Sequence, residues 1–242
     1  MGDQVCDNLT VNKTTNLFGT LILNDHMICL RGLGGDRCFV GLGFLKDGWG
    51  NKQIDGPVLW GNQNGALGTV GYENEPWGKI ALTWDINNNV EVTGNLTVKG
   101  DMCLANADCA EDFDIGGAEL VQPGTVMVFG KDGALRPSEK PYDKRVAGVI
   151  SGAGDFRPGI TLDKQDSSKK NRLPLALTGK AYCKVDADYE PVEVGDLLTT
   201  SSTPGHAMKA HDPVRSFGAV VGKAIQPLKT GRDLIPLLVS LR

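Results

Sequence analysis

Patterns that mark a membrane protein, a secreted precursor or a nucleic-acid-binding protein are missing from this chain of 242 residues. Its most apolar segment, residues 234–241, is too short to span a bilayer and contains Pro236. The N-terminal sequence MGDQVCDN has neither the basic nor the apolar region of a classical signal peptide. The formal net charge is −4, and no run of Lys and Arg alternates with aromatic residues. We therefore predict no membrane insertion, no classical signal peptide and no nucleic-acid partner.

Metal-ligand spacings are also absent. No two of the cysteines form a Cys-x-x-Cys pair. His206 and His211 are close in sequence, but Asp212 is the only third ligand nearby, and two ligands on a turn rarely hold a divalent ion. We predict no metal site and no cofactor. The cysteines are interpreted as free thiols, with a Cys103–Cys109 disulfide as the alternative: Cys6, Cys29, Cys38, Cys103, Cys109 and Cys183.

Glycine, in contrast, is abundant, with 32 copies, about twice its average usage. Scattered glycines without a helical apolar stripe predict many short strands joined by tight turns. Residues 8–23 and 90–104 alternate apolar and polar side chains, and the tetrapeptide NLTV occurs at both 8–11 and 95–98. Such segments are typical of β-helix solenoids and of intertwined trimeric shafts. We predict two short shaft-like β segments.

A region rich in Gly, Asn and Trp, residues 25–89, lies between these segments. It contains the short strand patterns FVGLGF, GPVLWG and KIALTWD, and DINNN at 85–89 predicts a hairpin turn. Tryptophans on such loops can stack on sugar rings, but Trp also fills the core or the subunit interface of a thin β domain. Both interpretations stay open for the four candidate ligand-binding residues: Trp49, Trp60, Trp77 and Trp84.

The sequence changes character at residues 109–117, CAEDFDIGG, which we interpret as an acidic linker. Longer Val-rich strand patterns follow it. The pair Asp132-Gly133 predicts a tight hairpin between VMVFG and ALRPS. The polar stretch 161–172, TLDKQDSSKKNR, predicts a mobile loop.

Hydroxyls, a histidine and acids are concentrated in residues 191–210, PVEVGDLLTTSSTPGHAMKA. Ser201, Ser202 and His206 are the catalytic candidates here. No G-x-S-x-G elbow surrounds the serines. Because Pro204 presets φ and Gly205 accepts a positive φ, a polar turn is the stronger interpretation.

The C-terminal half resembles a known group of domains. Residues 121–152, 174–186, 192–210 and 217–228 carry the pattern, which includes VAGV, KAYCKVD, GDLLTTSSTPGHAMKA and GAVVGKA. They resemble the C-terminal β domain of phage tail-fibre and neck-appendage proteins, which is related to the peptidase G2 intramolecular-chaperone domain. The NLTVKGD phrase is similar to fibre-shaft repeats. The resemblance covers about residues 90–242.

This resemblance implies an all-β chain that is an intertwined homotrimer with a compact β-barrel or β-clip-like C-terminal domain. We expect four parts: an N-terminal β shaft or attachment segment, a Gly/Asn/Trp-rich β region, a β shaft with acidic linker, and the appendage-type β domain (1–24, 25–89, 90–117 and 118–242). No catalytic pair of the chaperone relatives can be matched, so a structural subunit is expected rather than an enzyme, with autoproteolysis as an alternative.

The implied partners are further copies of the chain and other tail or appendage subunits. A host surface receptor or glycan could bind through residues 25–85, which would make this region a host-attachment head. The implied location is a virion tail or an extracellular phage-like particle.

Overall fold

The computed structural model describes residues 27–32, 38–45, 56–69, 78–117, 120–164 and 171–240. It is nearly all β, with 49% strand and 2% helix, which confirms the predicted fold class. The chain divides into two compact units, Met1–Gly100 and Asp101–Arg242. Across the described ranges, no helix is long and apolar enough to cross a membrane.

The described part of the first unit contains two three-stranded antiparallel sheets. One has the order β1-β2-β3 and the other the order β4-β5-β6. Asp85 shapes the turn between β5 and β6, because its Oδ1 accepts hydrogen bonds from the backbone N–H groups of Asn87 and Asn89. The hairpin turn predicted at 85–89 is confirmed. The strand bounds are β1 Met27–Gly32, β2 Cys38–Leu45, β3 Gly56–Trp60, β4 Asn64–Gly68, β5 Ile80–Asp85 and β6 Val90–Val92.

Few of the described apolar side chains on these two sheets are buried. Among the first-unit residues whose side chains the structure describes, Trp60 is the one large apolar residue that is buried. Other apolar side chains on these strands are exposed: Ile28, Leu30, Leu42, Leu59, Leu67, Ile80, Val90 and Val92. A three-stranded sheet without a covered apolar face is not independently stable in water.

The second predicted shaft segment, 90–104, is a strand only at Val90–Val92. From residue 93 to residue 107 no strand forms, including the NLTV copy at 95–98. A β-strand needs a partner edge, and residues 94–106 make no hydrogen bond to the described part of the chain. The first predicted shaft segment, 8–23, and the NLTV copy at 8–11 lie outside the described residues.

A closed five-stranded barrel forms the centre of the second unit. Its strands run in the order β14-β13-β15-β16-β12, and β12 pairs again with β14 to close the ring. Val185 and Ala207 are the paired residues at this closure. The barrel encloses Cys183, Leu198, Val221, Ile235 and Leu237. The predicted compact β-barrel is confirmed.

The remaining strands extend the sheet from the first half of β12. They cover a second core that contains Met127, Leu135, Ile150 and Leu175. The bounds in this unit are β7 Asp108–Asp114, β8 Val126–Phe129, β9 Leu135–Pro137, β10 Val146–Ile150, β11 Pro158–Leu162, β12 Arg172–Asp186, β13 Leu197–Thr200, β14 Ala207–Lys209, α1 Pro213–Ser216, β15 Val220–Ala224 and β16 Arg232–Val239.

The prediction of an acidic linker at 109–117 is wrong. Strand β7 occupies most of this stretch and pairs antiparallel with β12 and parallel with β11. Ala110 is fully buried and Phe113 packs against the second core, so the acids between them are the half-buried positions of a strand. The folded second unit therefore includes residues before the predicted boundary at 118.

Two further sequence predictions concern turns in this unit. The Asp132-Gly133 hairpin is confirmed: β8 and β9 are antiparallel, and the Gly130 N–H bonds the Ala134 carbonyl. Within the predicted loop at 161–172, Leu162 ends β11 and Arg172 begins β12. Residues 165–170 of that loop lie outside the described residues.

Candidate functional site

Ser201 and His206, two of the sequence-predicted catalytic candidates, lie in the turn between β13 and β14 but do not contact each other through their side chains. Ser201 is fully buried, and its Oγ lies 3.0 Å from the His206 carbonyl and accepts from the Thr203 N–H at 3.1 Å. His206 uses Nδ1 to bond the Pro204 carbonyl at 2.7 Å. Both side chains therefore stabilise the turn backbone, as a polar Pro-Gly turn requires.

Ser202, the third candidate, is exposed and lines a cavity of about 260 Å³ beside β14. We call this cavity the tyrosine cleft. The lining residues come from four separate stretches of sequence: Pro141, Tyr142, Tyr189, Glu190, Ser202, Met208, Lys209, His211 and Arg215. Sequence reasoning selected Ser202 as a catalytic candidate and considered His211 only as a metal ligand, which it rejected. It missed the two tyrosines and Arg215, because residues about 70 positions apart meet here only in the folded chain.

Tyr142 is the most constrained residue of the tyrosine cleft. Its φ is +58°, in the left-handed region that bulky side chains rarely adopt. The surroundings hold it there: its N–H bonds the Thr200 carbonyl, and its hydroxyl accepts from the Asp212 N–H at 3.3 Å. The guanidinium of Arg215 lies 4.2 Å from the centre of its ring. A bulky residue kept in this conformation is typical of functional sites and of tightly specified turns.

Charges in the tyrosine cleft are partly paired. Lys209 Nζ lies 3.0 Å from Asp196 and 3.5 Å from Glu190, and the bond to Asp196 raises the pKa of this ammonium group. His211 Nδ1 lies 3.5 Å from the other Glu190 oxygen. Arg215 stacks on Tyr142 and has no carboxylate partner among the described residues.

A buried carboxylate network lies below the Ser201–His206 turn. Asp186 is fully buried and accepts hydrogen bonds from the Thr203 hydroxyl at 2.6 Å, from Arg232 Nε at 2.8 Å and from the Asp188 N–H at 3.0 Å. Burial by itself raises the pKa of Asp186, but these three donors together bring the pKa below its ordinary value. The network ties the turn to strands β12 and β16.

Asp108 and Ser151 form a second buried polar pair, which sequence reasoning missed. The Ser151 hydroxyl donates to Asp108 Oδ2 at 2.7 Å, while Oδ1 is buried without a hydrogen-bond partner among the described residues. Burial raises the pKa of Asp108, and the Ser151 bond offsets only part of this effect. Asp108 is the first residue of β7. An under-satisfied buried carboxylate of this kind is a candidate general base.

Two of the four candidate tryptophans lie in the described part of the first unit. Trp60 is buried at the end of β3. Trp84 covers Gly65 on the neighbouring strand so closely that a Cβ there would lie 2.0 Å from the indole ring. It also lines an open groove of about 480 Å³, together with Asp85, Asn89 and Glu91. Trp49 and Trp77 lie outside the described residues.

A metal centre does not form in the described ranges, where no three His, Cys, Asp or Glu side chains are grouped to hold an ion. Asp212, which the sequence placed near the two histidines, instead caps α1 by accepting from the Val214 and Arg215 N–H groups. Cys103 and Cys109 are both free thiols, so the alternative of a disulfide between them is not realised.

Comparisons with known proteins identified two similar structures. No protein-family model matches the chain, and no curated protein matches it. The crystal structure of the pre-mature bacteriophage phi29 gene product 12 is similar over 66% of this chain, with 15% identity and a TM-score of 0.40. The crystal structure of its C-terminal fragment is similar over 55% of this chain and 100% of that chain, with 17% identity and a TM-score of 0.36. The chain spans 24% of the first of these proteins.

Proposed function

We propose that this chain is a structural subunit of a phage or phage-derived tail fibre or appendage, and that it assembles as a homotrimer. The observation that carries the proposal is the segment between residues 90 and 104, of which only residues 90–93 pair with the described chain and residues 94–104 have no partner strand there. Six of its apolar side chains are exposed although they recur at the spacing of a buried β segment: Val90, Val92, Leu96, Val98, Met102 and Leu104.

Intertwining of several copies would supply the partner strands that this segment lacks within one chain. Residues 94–106 have unpaired backbone groups in the described chain, and strands from neighbouring copies would satisfy them and remove an open edge. Burying a side chain such as Leu96, which is 68% exposed, contributes about 1–2 kcal/mol. Threefold symmetry repeats this gain in each copy. Other appendage subunits and a location on the virion tail follow from the same proposal.

The oligomeric state tests this proposal directly. Light scattering of the purified chain should give three times the chain mass of 25.8 kDa. The double substitution Leu96→Asp with Val98→Asp should release monomers, because it places charges in the interface. Leu120→Asp is the matched control, since this side chain is 91% exposed outside the segment. A monomeric parent protein would overturn the proposal.

Glycan or receptor binding through the first unit is a second candidate function, which the groove beside Trp84 favours. An indole next to carboxylate and amide side chains is a suitable surface for a sugar ring. Addition of host-surface glycans should quench tryptophan fluorescence, and Trp84→Phe should remove the response while Trp60→Phe retains it. An unchanged spectrum with the parent protein would contradict this candidate.

Autoproteolysis is a third candidate, which the Asp108–Ser151 pair favours. A carboxylate with a raised pKa could take a proton from a water molecule that attacks a backbone amide just before β7. The products are a new carboxylate and a new amine. The intact mass after expression decides the question: a chain that stays at 25.8 kDa contradicts this candidate, whereas cleavage that stops in Asp108→Asn supports it.

A further inference from the structure

Three groups around the tyrosine cleft have unused binding capacity. Arg215 has no carboxylate partner among the described residues, and the Ser202 hydroxyl makes no hydrogen bond to them. Tyr189 is 53% exposed. A planar cation, a free hydroxyl and an open aromatic face on the walls of one cavity are a set of groups that a ligand could satisfy.

The guanidinium of Arg215 stacks on the ring of Tyr142 without any ligand. Pro141 and Tyr142 lie in a turn in which Tyr142 has a φ of +58°. The guanidinium carbon of Arg215 lies 4.2 Å from the centre of the Tyr142 ring. Stacking leaves the N–H donors of Arg in the plane of the guanidinium, where they can bind a carboxylate through two parallel hydrogen bonds. The strained turn therefore preorganises an anion-binding group.

The other charges of the cleft select the kind of anion. Lys209 is already neutralised by Asp196 and Glu190, so Arg215 supplies the one positive charge without a partner in the described cleft. Glu190 lies on the cleft wall and would repel a doubly charged phosphate. A singly charged carboxylate fits this balance better than a phosphate group does.

The volume of the tyrosine cleft and its other lining residues indicate what the rest of the ligand is. The cavity of about 260 Å³ accommodates one small ring. Tyr189 offers a face on which the apolar side of a sugar ring can stack, and Ser202 and His211 offer hydrogen bonds to ring hydroxyls. We propose that the tyrosine cleft binds one uronic acid residue of an acidic glycan, with its carboxylate on Arg215 and its ring on Tyr189.

Saturation-transfer NMR and calorimetry on the full chain test this site with defined sugars. Glucuronate should bind at millimolar concentration and glucose more weakly, because the two differ only at the carboxylate. The methyl glycoside of glucuronate, which mimics a residue linked in a glycan, should bind at least as well as the free acid. Binding of the free acid alone, equal binding of glucose and glucuronate, or displacement of glucuronate by an equal concentration of inorganic phosphate would overturn the proposal.

Single substitutions test separately what the charge of Arg215 and the ring of Tyr189 contribute to binding. Arg215→Gln should lower the affinity for glucuronate roughly tenfold and leave that for glucose unchanged. Tyr189→Ala should lower both affinities. Arg136→Gln is the matched control, because Arg136 is an exposed arginine of the same unit outside the cleft. Circular dichroism verifies that each variant is folded, and unchanged glucuronate binding in folded Arg215→Gln protein would contradict the assignment.

Discussion

Individual side chains in the second unit show opposite energetic roles that the sequence does not reveal. Ser201 and His206 resemble parts of a hydrolytic site in the sequence, yet their polar groups bond the backbone of a turn. Asp108 and Asp186 carry identical side chains, yet Asp108 accepts one hydrogen bond, from Ser151, and Asp186 accepts three. The sequence shows which polar side chains are present. Their hydrogen-bond partners lie tens of positions away and could not be predicted, because they depend on how the strands pair in the folded chain.

Asp186 should stabilise the protein at neutral pH. Its pKa lies below the ordinary value of 3.8 in the folded state, so its contribution is complete above pH 3.8 and is lost as the pH falls through the folded-state pKa. Asp186→Asn should lower the free energy of unfolding at pH 7 by about 2–3 kcal/mol. Urea denaturation at several pH values checks this, with exposed Asp233→Asn as control; a difference that persists unchanged in acid would contradict the assignment.

Asp108 should have the opposite effect. Burial raises its pKa above 3.8, so the ionised side chain opposes folding, and this cost grows as the pH rises from 3.8 through the folded-state pKa. Asp108→Asn should therefore unfold at a higher urea concentration than the parent at pH 7, and the two should converge in acid. A lower midpoint for Asp108→Asn at pH 7 would show that its charge is satisfied by a partner.

Packing of the Tyr142 ring should stabilise the fold by more than its strained positive φ destabilises it. Tyr142→Gly relieves the positive φ, which is worth about 1 kcal/mol, but it removes a ring that packs with Met208 and Ala219. We expect a net loss of about 2–3 kcal/mol in the free energy of unfolding. Asn88→Gly is the control, because Asn88 has a φ of +63° on an exposed turn, and it should be neutral or slightly stabilising. Chemical denaturation measures both.

Elements that depend on local pattern were predicted well. Both hairpin turns, at 85–89 and at 132–133, are confirmed because their turn residues determine the backbone locally. Most of strand β7 was mistaken for a linker, since the three acids of residues 109–117 obscured the burial of Ala110 and the packing of Phe113. The barrel closure between Val185 and Ala207 is a pairing between distant strands that no local pattern specifies.

The contact between β7 and β12 requires a glycine at position 179. Gly179 has a φ of +104°, and a Cβ there would lie 2.7 Å from the Ala107 carbonyl oxygen. Gly133 has a similarly positive φ of +80°, but nothing lies within 4 Å of its Cβ position. Gly179→Ala should therefore lower the thermal midpoint clearly more than Gly133→Ala, whose cost is about 1 kcal/mol. Equal shifts would contradict the close approach of the two strands.

The two units of the molecule differ in how they can be stable. The second unit has two extensive buried cores within one chain. The first unit has one buried large apolar side chain, Trp60, among those described. The proposed trimer would stabilise such a unit by association, and its unfolding would then depend on protein concentration.

Tryptophan fluorescence can isolate this effect, because all four tryptophans lie before residue 100 and the second unit contains none. If the first unit is stabilised by trimer formation, its fluorescence midpoint should rise with protein concentration. The double substitution Leu96→Asp with Val98→Asp should abolish that dependence and lower the midpoint, whereas Leu120→Asp should retain it. A fluorescence midpoint in the parent protein that stays constant over a hundredfold range of concentration would mean that one chain stabilises this unit by itself.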